Sequence, residues 1–194
     1  MIVCVIGLPG SGKSTVAKIL KRKGFHLIEM GDQVREKMRQ EKMKPLGDNI
    51  RKYSIKMRSR FGRDIVARMA AKKIAPYVKN NKNVAIVGVR DLYEVKYFKK
   101  TLKKFYIIGI VSPLQTRFER LHDRGRVDDP TSMSKFSERE KLERRGYGVS
   151  TKKGAGAGID RLFGMTDYIV FNTDTPVMLA RNVNILVSKL RQVR

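Results

Sequence analysis

Gly7-Leu8-Pro9-Gly10-Ser11-Gly12-Lys13-Ser14 is the stretch that decides the reading. It matches G-x-x-x-x-G-K-[ST] at every fixed position, and Thr15 follows it. An apolar run, Ile2–Ile6, precedes it and a helical pattern, Lys13–Lys23, opens at its end, which is the context the motif requires. Glycines let the backbone curl so that several N–H groups point inward. The start of the following helix adds the positive end of its dipole. Gly7, Pro9, Gly10, Ser11, Gly12, Lys13, Ser14 and Thr15 are therefore the candidate phosphate cradle. Lys13 can then reach the β- and γ-phosphates of a nucleotide as a point charge, and the Ser14 hydroxyl can ligate Mg²⁺; the motif alone does not separate kinases from GTPases or motor ATPases.

Outward from this motif, apolar β-branched runs alternate with amphipathic stretches. Ile2–Ile6, Phe25–Ile28, Val84–Val89, Tyr106–Val111 and Tyr168–Phe171 read as short strands covered on both faces. Lys13–Lys23, Asp91–Lys100, Pro113–Arg124 and Pro176–Arg191 read as helices. This alternation predicts a three-layer α/β/α fold on a five-stranded parallel sheet with right-handed crossovers. Two stretches are too long for simple crossovers. Gly31–Lys79 predicts two or three helices, and Pro113–Gly164 holds charged helical pieces and the run Gly154–Gly158. One domain over residues 1–194 follows, with its core in 1–30, 80–112 and 165–194, an acceptor-binding lobe near 31–79 and a lid near 113–164.

Composition narrows the classes. The chain has 194 residues, 41% of them apolar, enough for a core. No apolar stretch approaches the roughly 20 residues that span a bilayer, and the N-terminus lacks the basic start of a signal peptide. A soluble cytoplasmic protein is the expectation, with Cys4 structural in a buried strand. Net charge is +25, from 43 Lys and Arg against 18 Asp and Glu. Such a field attracts polyanions, including nucleotides and RNA, and it also suits a lysine-rich thermophile surface. Arg51, Lys52, Lys56, Arg58, Arg60 and Arg63 read as one basic helix interleaved with Tyr53 and Phe61, either an RNA face or a solvated surface. Oligomeric state is not legible.

Further residues carry a resemblance. The string Gly7–Thr15 resembles the P-loop of nucleoside monophosphate kinases. Met30-Gly31-Asp32-Gln33-Val34-Arg35 and Val87-Gly88-Val89-Arg90 resemble the segments that supply the two acceptor-phosphate arginines in adenylate kinases. Arg117, Arg120, Arg124, Arg126, Asp128 and Asp129 resemble an arginine-rich lid with a paired aspartate, and Asp167–Asn172 resembles the last strand, whose loop lies beside the ATP base. The whole chain is most similar to archaeal adenylate kinase-related proteins, with a likeness to dephospho-coenzyme A kinases.

The resemblance implies an ATP- and Mg²⁺-dependent phosphotransferase acting on a nucleoside monophosphate or related nucleotide. A kinase of a small hydroxyl acceptor, such as dephospho-coenzyme A, is one alternative. A nucleotide-binding RNA-associated factor is the other. Arg35 and Arg90 are then the acceptor clamps, Arg117 and Arg124 catalytic lid arginines, and Arg120 and Asn172 nucleotide-binding groups. Asp32 is assigned to substrate, catalysis and metal, with helix capping as its structural reading. One departure stands out: Val87 occupies the place where these kinases carry a metal-organising aspartate. Asp32 or Asp91 takes over through water, or the metal rests on Ser14 and the phosphates, or the site binds nucleotide and catalyses poorly.

Overall fold

The computed structural model describes residues 1–46, 48–125, 129–145 and 158–192. Arg126, Asp128 and residues 154–157 of the glycine-alanine run lie outside the described residues.

The strand β1 (Ile2–Gly7) is buried along its whole length. Alternate side chains point to opposite faces of a strand. Ile2, Cys4 and Ile6 accordingly enter one core cluster and Val3 and Val5 the other. This is why the run reads as continuously apolar. Burial also raises the Cys4 thiol far above its ordinary range, with the charge of Glu94 adding, so it behaves as a small apolar group. The other strands are β2 (His26–Glu29), β3 (Val84–Val87), β4 (Phe105–Val111) and β5 (Tyr168–Phe171). All pair in parallel, in the order β2-β3-β1-β4-β5, giving the expected five-stranded sheet.

Helices cover both faces. Among the described residues they are α1 (Lys13–Arg22), α2 (Met30–Gln40), α3 (Asp48–Phe61), α4 (Ile65–Lys79), α5 (Leu92–Thr101), α6 (Leu114–Arg124), α7 (Met133–Arg145), α8 (Ile159–Phe163) and α9 (Pro176–Gln192). One layer packs Val34 and Met38 of α2, Ala70 and Ile74 of α4, and Val95 and Phe98 of α5 against Ile2, Cys4 and Ile6. The other packs Val16 and Leu20 of α1 and Val183 and Leu190 of α9 against Val3 and Val5. No described helix is long and apolar enough to cross a membrane.

This topology sets the site. Strand β1 lies between β3 and β4, so the chain leaves it toward one sheet edge and later returns on the other side. In an open parallel sheet, ligands bind at the carboxyl ends of the strands where the order reverses. The loop after β1 occupies that place.

Two local expectations change. Strand β3 ends at Val87, because Gly88 turns left-handed at φ 83. Asp32 does not cap a helix near Gln33: α2 starts at Met30 with Glu29 as its N-cap, and Asp32 lies in the first turn.

Candidate functional site

Residues 8–12 bend the chain from β1 into α1. Gly10 and Gly12 adopt φ 77 and φ 99, a region that L side chains avoid. Space forbids a side chain as well. A Cβ on Gly10 would collide with the backbone carbonyl of Arg117, and one on Gly12 with the amide nitrogen of Asn172. Gly12 is the N-cap of α1 and supplies no side-chain bond, so the first N–H groups of that helix keep their donors directed at the loop. The Ser11 side chain is buried, and its hydroxyl makes no hydrogen bond among the described residues. Ser14 and Thr15 are exposed in the first turn.

Two partners brace the cradle from outside. Asn172, at the end of β5, is buried and donates its side-chain amide to the Ser11 carbonyl at 2.9 Å. Its own carbonyl accepts from Ser112 Oγ at 2.8 Å, and its Oδ1 accepts from Arg120 Nη2 at 3.4 Å. Arg117 is only 3% exposed. It donates to the carbonyls of Ser112 at 3.0 Å and Pro9 at 3.4 Å, and pairs with Glu140 at 2.5 Å. Its guanidinium also stands over the Phe136 ring, 5.4 Å from the centroid. Arg117 and Arg124 were expected as catalytic arginines of a lid and Arg120 as a nucleotide-binding group. Instead Arg117 is packed beneath the loop, Arg120 reaches Asn172, and Arg124 donates Nε to Asp129 at 2.8 Å.

Lys13 is the electrostatic centre. Its ammonium donates to the Leu8 carbonyl at 2.7 Å. Burial lowers its pKa to about 7; Arg90 pushes it further in the same direction, Glu143 opposes, and Arg117 and Arg124 add smaller decrements. The charges of these four side chains, scattered over the sequence, thus act on one cation. Each of the three arginines has a carboxylate partner: Arg90–Glu143 at 3.2 Å, Arg117–Glu140 at 2.5 Å, and Arg124–Asp129.

The acceptor-side residues divide. Gly88-Val89-Arg90 follows β3, and Arg90 extends toward α7, with its side chain about half exposed. Arg35 lies elsewhere, donating to Asp32 at 2.6 Å and to Glu29 at 3.5 Å. The Asp32 side chain is 57% exposed. Asp91, the other carboxylate considered in place of Val87, is spent on structure. It caps α5 by accepting from the Tyr93 N–H at 2.9 Å, and accepts from Arg63 Nε at 3.0 Å. Val87 itself is paired with Val5 and Glu29 and packs in the core.

The basic segment around α3 is less of a surface than its sequence implies. Arg63 lies beyond the helix end. Arg58 turns inward to Glu94 at 2.7 Å, just as Arg63 turns to Asp91. Tyr53 is buried, and its pKa is pushed up to about 12 by burial and by Glu41. Lys56, Arg60 and Phe61 stay exposed.

Sequence reasoning missed Glu140 and Glu143. The available signal was their i, i+3 spacing, which puts both on one face of a helix. Nothing local says that this face meets arginines. Among the described residues no three acidic, histidine or cysteine side chains form a metal cluster. Mg²⁺ is satisfied with one or two protein ligands plus phosphate oxygens and water, so the exposed Ser14 hydroxyl beside the cradle fits it.

Comparison with known proteins agrees with this architecture. A family model described as AAA domain matches residues 6–137. The chain is 35% identical over 192 residues to a UPF0200 protein of Thermococcus onnurineus, covering 98% of each. It is 34% identical to a UPF0200 protein of Pyrococcus horikoshii, covering 98% of this chain and 97% of that one. Among solved structures, TT1252 from Thermus thermophilus matches at TM-score 0.59 and 15% identity, over 98% of this chain and 97% of that one. A shikimate kinase from Aquifex aeolicus matches at TM-score 0.51 and 16% identity over the whole of both chains. These structural likenesses establish a shared fold.

Proposed function

The chain belongs to the UPF0200 family and carries an AAA domain of the P-loop kinase-like fold, and from that premise we propose an ATP-dependent phosphotransferase. Its acceptor is a nucleoside monophosphate or a related nucleotide, as in adenylate kinases. The observation that carries the proposal is the curled loop between β1 and α1, left-handed at Gly10 and Gly12, with the Lys13 ammonium against its Leu8 carbonyl and Arg117 braced beneath it through the Pro9 carbonyl. An arrangement of that kind suits a γ-phosphoryl group, whose transfer depends on positioning and charge neutralisation more than on covalent chemistry.

In this reading the backbone of Gly7–Ser14 cradles the triphosphate and Lys13 meets its β- and γ-oxygens. Ser14 would hold Mg²⁺, which when bound neutralises charge on the phosphates. Thr15, Arg120 and Asn172 complete the donor site, Asn172 through the Ser11 carbonyl it braces and Arg120 through Asn172. Arg90 and Arg35 take the acceptor phosphate, from the end of β3 and from α2. Helices α2, α3 and α4 form the acceptor lobe, and α6, α7 and α8 the lid, whose closure excludes water from the reaction. Arg124 reaches the transferring phosphoryl from that lid. Arg117 acts from beneath the loop, through the Pro9 carbonyl.

A second reading, with a hydroxyl acceptor, rests on Asp32. Its exposed carboxylate is oriented by Arg35 and could accept a proton from an alcohol. Two structural neighbours are described as a sugar kinase and a shikimate kinase, names that keep this class in view. The test is incubation with γ-labelled ATP, Mg²⁺ and a panel of nucleoside monophosphates, dephospho-coenzyme A and small alcohols, followed by separation of products. A labelled nucleoside diphosphate supports the leading reading; label on an alcohol alone supports the second. Label on no acceptor, with tight salt-dependent RNA binding, sinks both.

A further inference from the structure

Helix α7 brings a carboxylate into the cluster around Lys13. Glu143 is 9% exposed and meets Arg90 Nη1 at 3.2 Å. Among the described residues, it is the acid whose charge reaches Lys13. The other carboxylates near the cluster are committed: Glu140 holds Arg117 and Arg144, Asp129 holds Arg124, and Asp91 caps α5. Helix α7 is itself anchored, through Glu140 to the arginine beneath the loop and through Arg144 Nη1 to Asp160 of α8 at 2.9 Å. Glu143 therefore comes from a braced element, whereas the Arg90 side chain it meets is about half exposed and long.

We propose that Glu143 is a positioning residue that holds the Arg90 guanidinium from the braced helix α7, so that the acceptor side of the site is aligned with the donor side before substrates arrive. This rests on the phosphotransferase reading above. A half-exposed arginine in water samples many rotamers, and ordering it at the moment of binding costs affinity or rate. An ion pair to a buried carboxylate meets that cost in advance. The same carboxylate opposes the effect of the Arg90 charge on Lys13.

The experiment compares wild type, Glu143→Gln and Glu143→Asp by the ¹⁵N heteronuclear NOE of Arg90 Nε–Hε, and by steady-state kinetics with ATP and whichever acceptor is turned over. Glu143→Asp keeps the charge but withdraws the carboxylate by one methylene, and it serves if the glutamine variant folds poorly. The expected result is an Arg90 side chain clearly less ordered in Glu143→Gln than in wild type. In that variant kcat falls about 10-fold or more while KM for ATP stays within about 2-fold, because alignment rather than donor binding is lost. A general structural defect would instead raise KM and lower kcat together. Arg90 remaining ordered in both variants overturns the proposal, as does lost order with kcat unchanged. If wild type transfers phosphoryl to nothing, the functional reading fails, and the NOE comparison alone still decides whether Glu143 positions Arg90.

Discussion

Lys13 makes nucleotide binding a proton-uptake reaction. Ligand-free, its ammonium titrates at about 7, held down first by burial and then by Arg90. A bound triphosphate brings negative charge against it and returns it toward the ordinary lysine range, about 10. Between those values the complex holds one more proton than the free protein. Affinity is therefore fully present below pH 7 and is lost as pH rises. The apparent Kd scales as 1 + 10^(pH − 7), which is about 4 at pH 7.5 and about 100 at pH 9, a loss of roughly 25-fold, or about 1.9 kcal/mol at 1.36 kcal/mol per decade. Terminal phosphates finish ionising near pH 6 to 7, so over this window the slope belongs to the protein. Isothermal titration with a non-hydrolysable ATP analogue, in buffers of different ionisation enthalpy, reads both the Kd and the protons taken up, approaching about one per site near pH 8.5. Lys13→Met should bind weakly and without slope. A flat Kd from pH 7.5 to 9 in wild type, or an equal slope in Lys13→Met, refutes the argument.

Three further outcomes follow from the same geometry. Gly10→Ala puts a methyl against the Arg117 carbonyl at a left-handed φ of 77; thermal melts should show a loss of about 1–3 kcal/mol, and titration should show ATP-analogue binding abolished. Glu140→Ala leaves Arg117 buried without its carboxylate, which should cost about 3–5 kcal/mol, read calorimetrically as a fall of roughly 6–20 °C in Tm for a chain of this size. Asp91→Ala removes the α5 cap and the partner of Arg63; it should destabilise by about 1–2 kcal/mol while the Mg²⁺ dependence of ATP binding is retained, and a lost Mg²⁺ dependence would return Asp91 to the metal site.

The curled turn after β1 was legible in the chain because its geometry is local. Gly10 and Gly12 turn left-handed within a few residues, at φ 77 and φ 99, a conformation that glycine adopts most readily. The continuous apolar runs of β1 and β3 announced strands covered on both faces, for the same local reason. The roles within the arginine-rich segment were not legible. Arg117 and Arg124 look alike in sequence, yet one lies buried under the loop and the other pairs at the helix end. Six basic residues near α3 look like one surface, yet Arg58 and Arg63 turn inward to α5.

By itself, then, the amino-acid order determined a curled, N–H-lined turn between an apolar strand and a helix. Backbone sterics, glycine placement and side-chain period act over a few residues, so they can be read directly. Only the tertiary structure decided which cations stand at that turn and which acids hold them. Arg90 meets Glu143 across 53 residues of chain, and Arg117 meets the Pro9 carbonyl across 108. Such partnerships depend on where β1 sits in the sheet and on which face of α7 turns toward it. Those facts come from the packing of the whole molecule, because a charge selects its partner by distance in space and carries no mark of that choice along the chain.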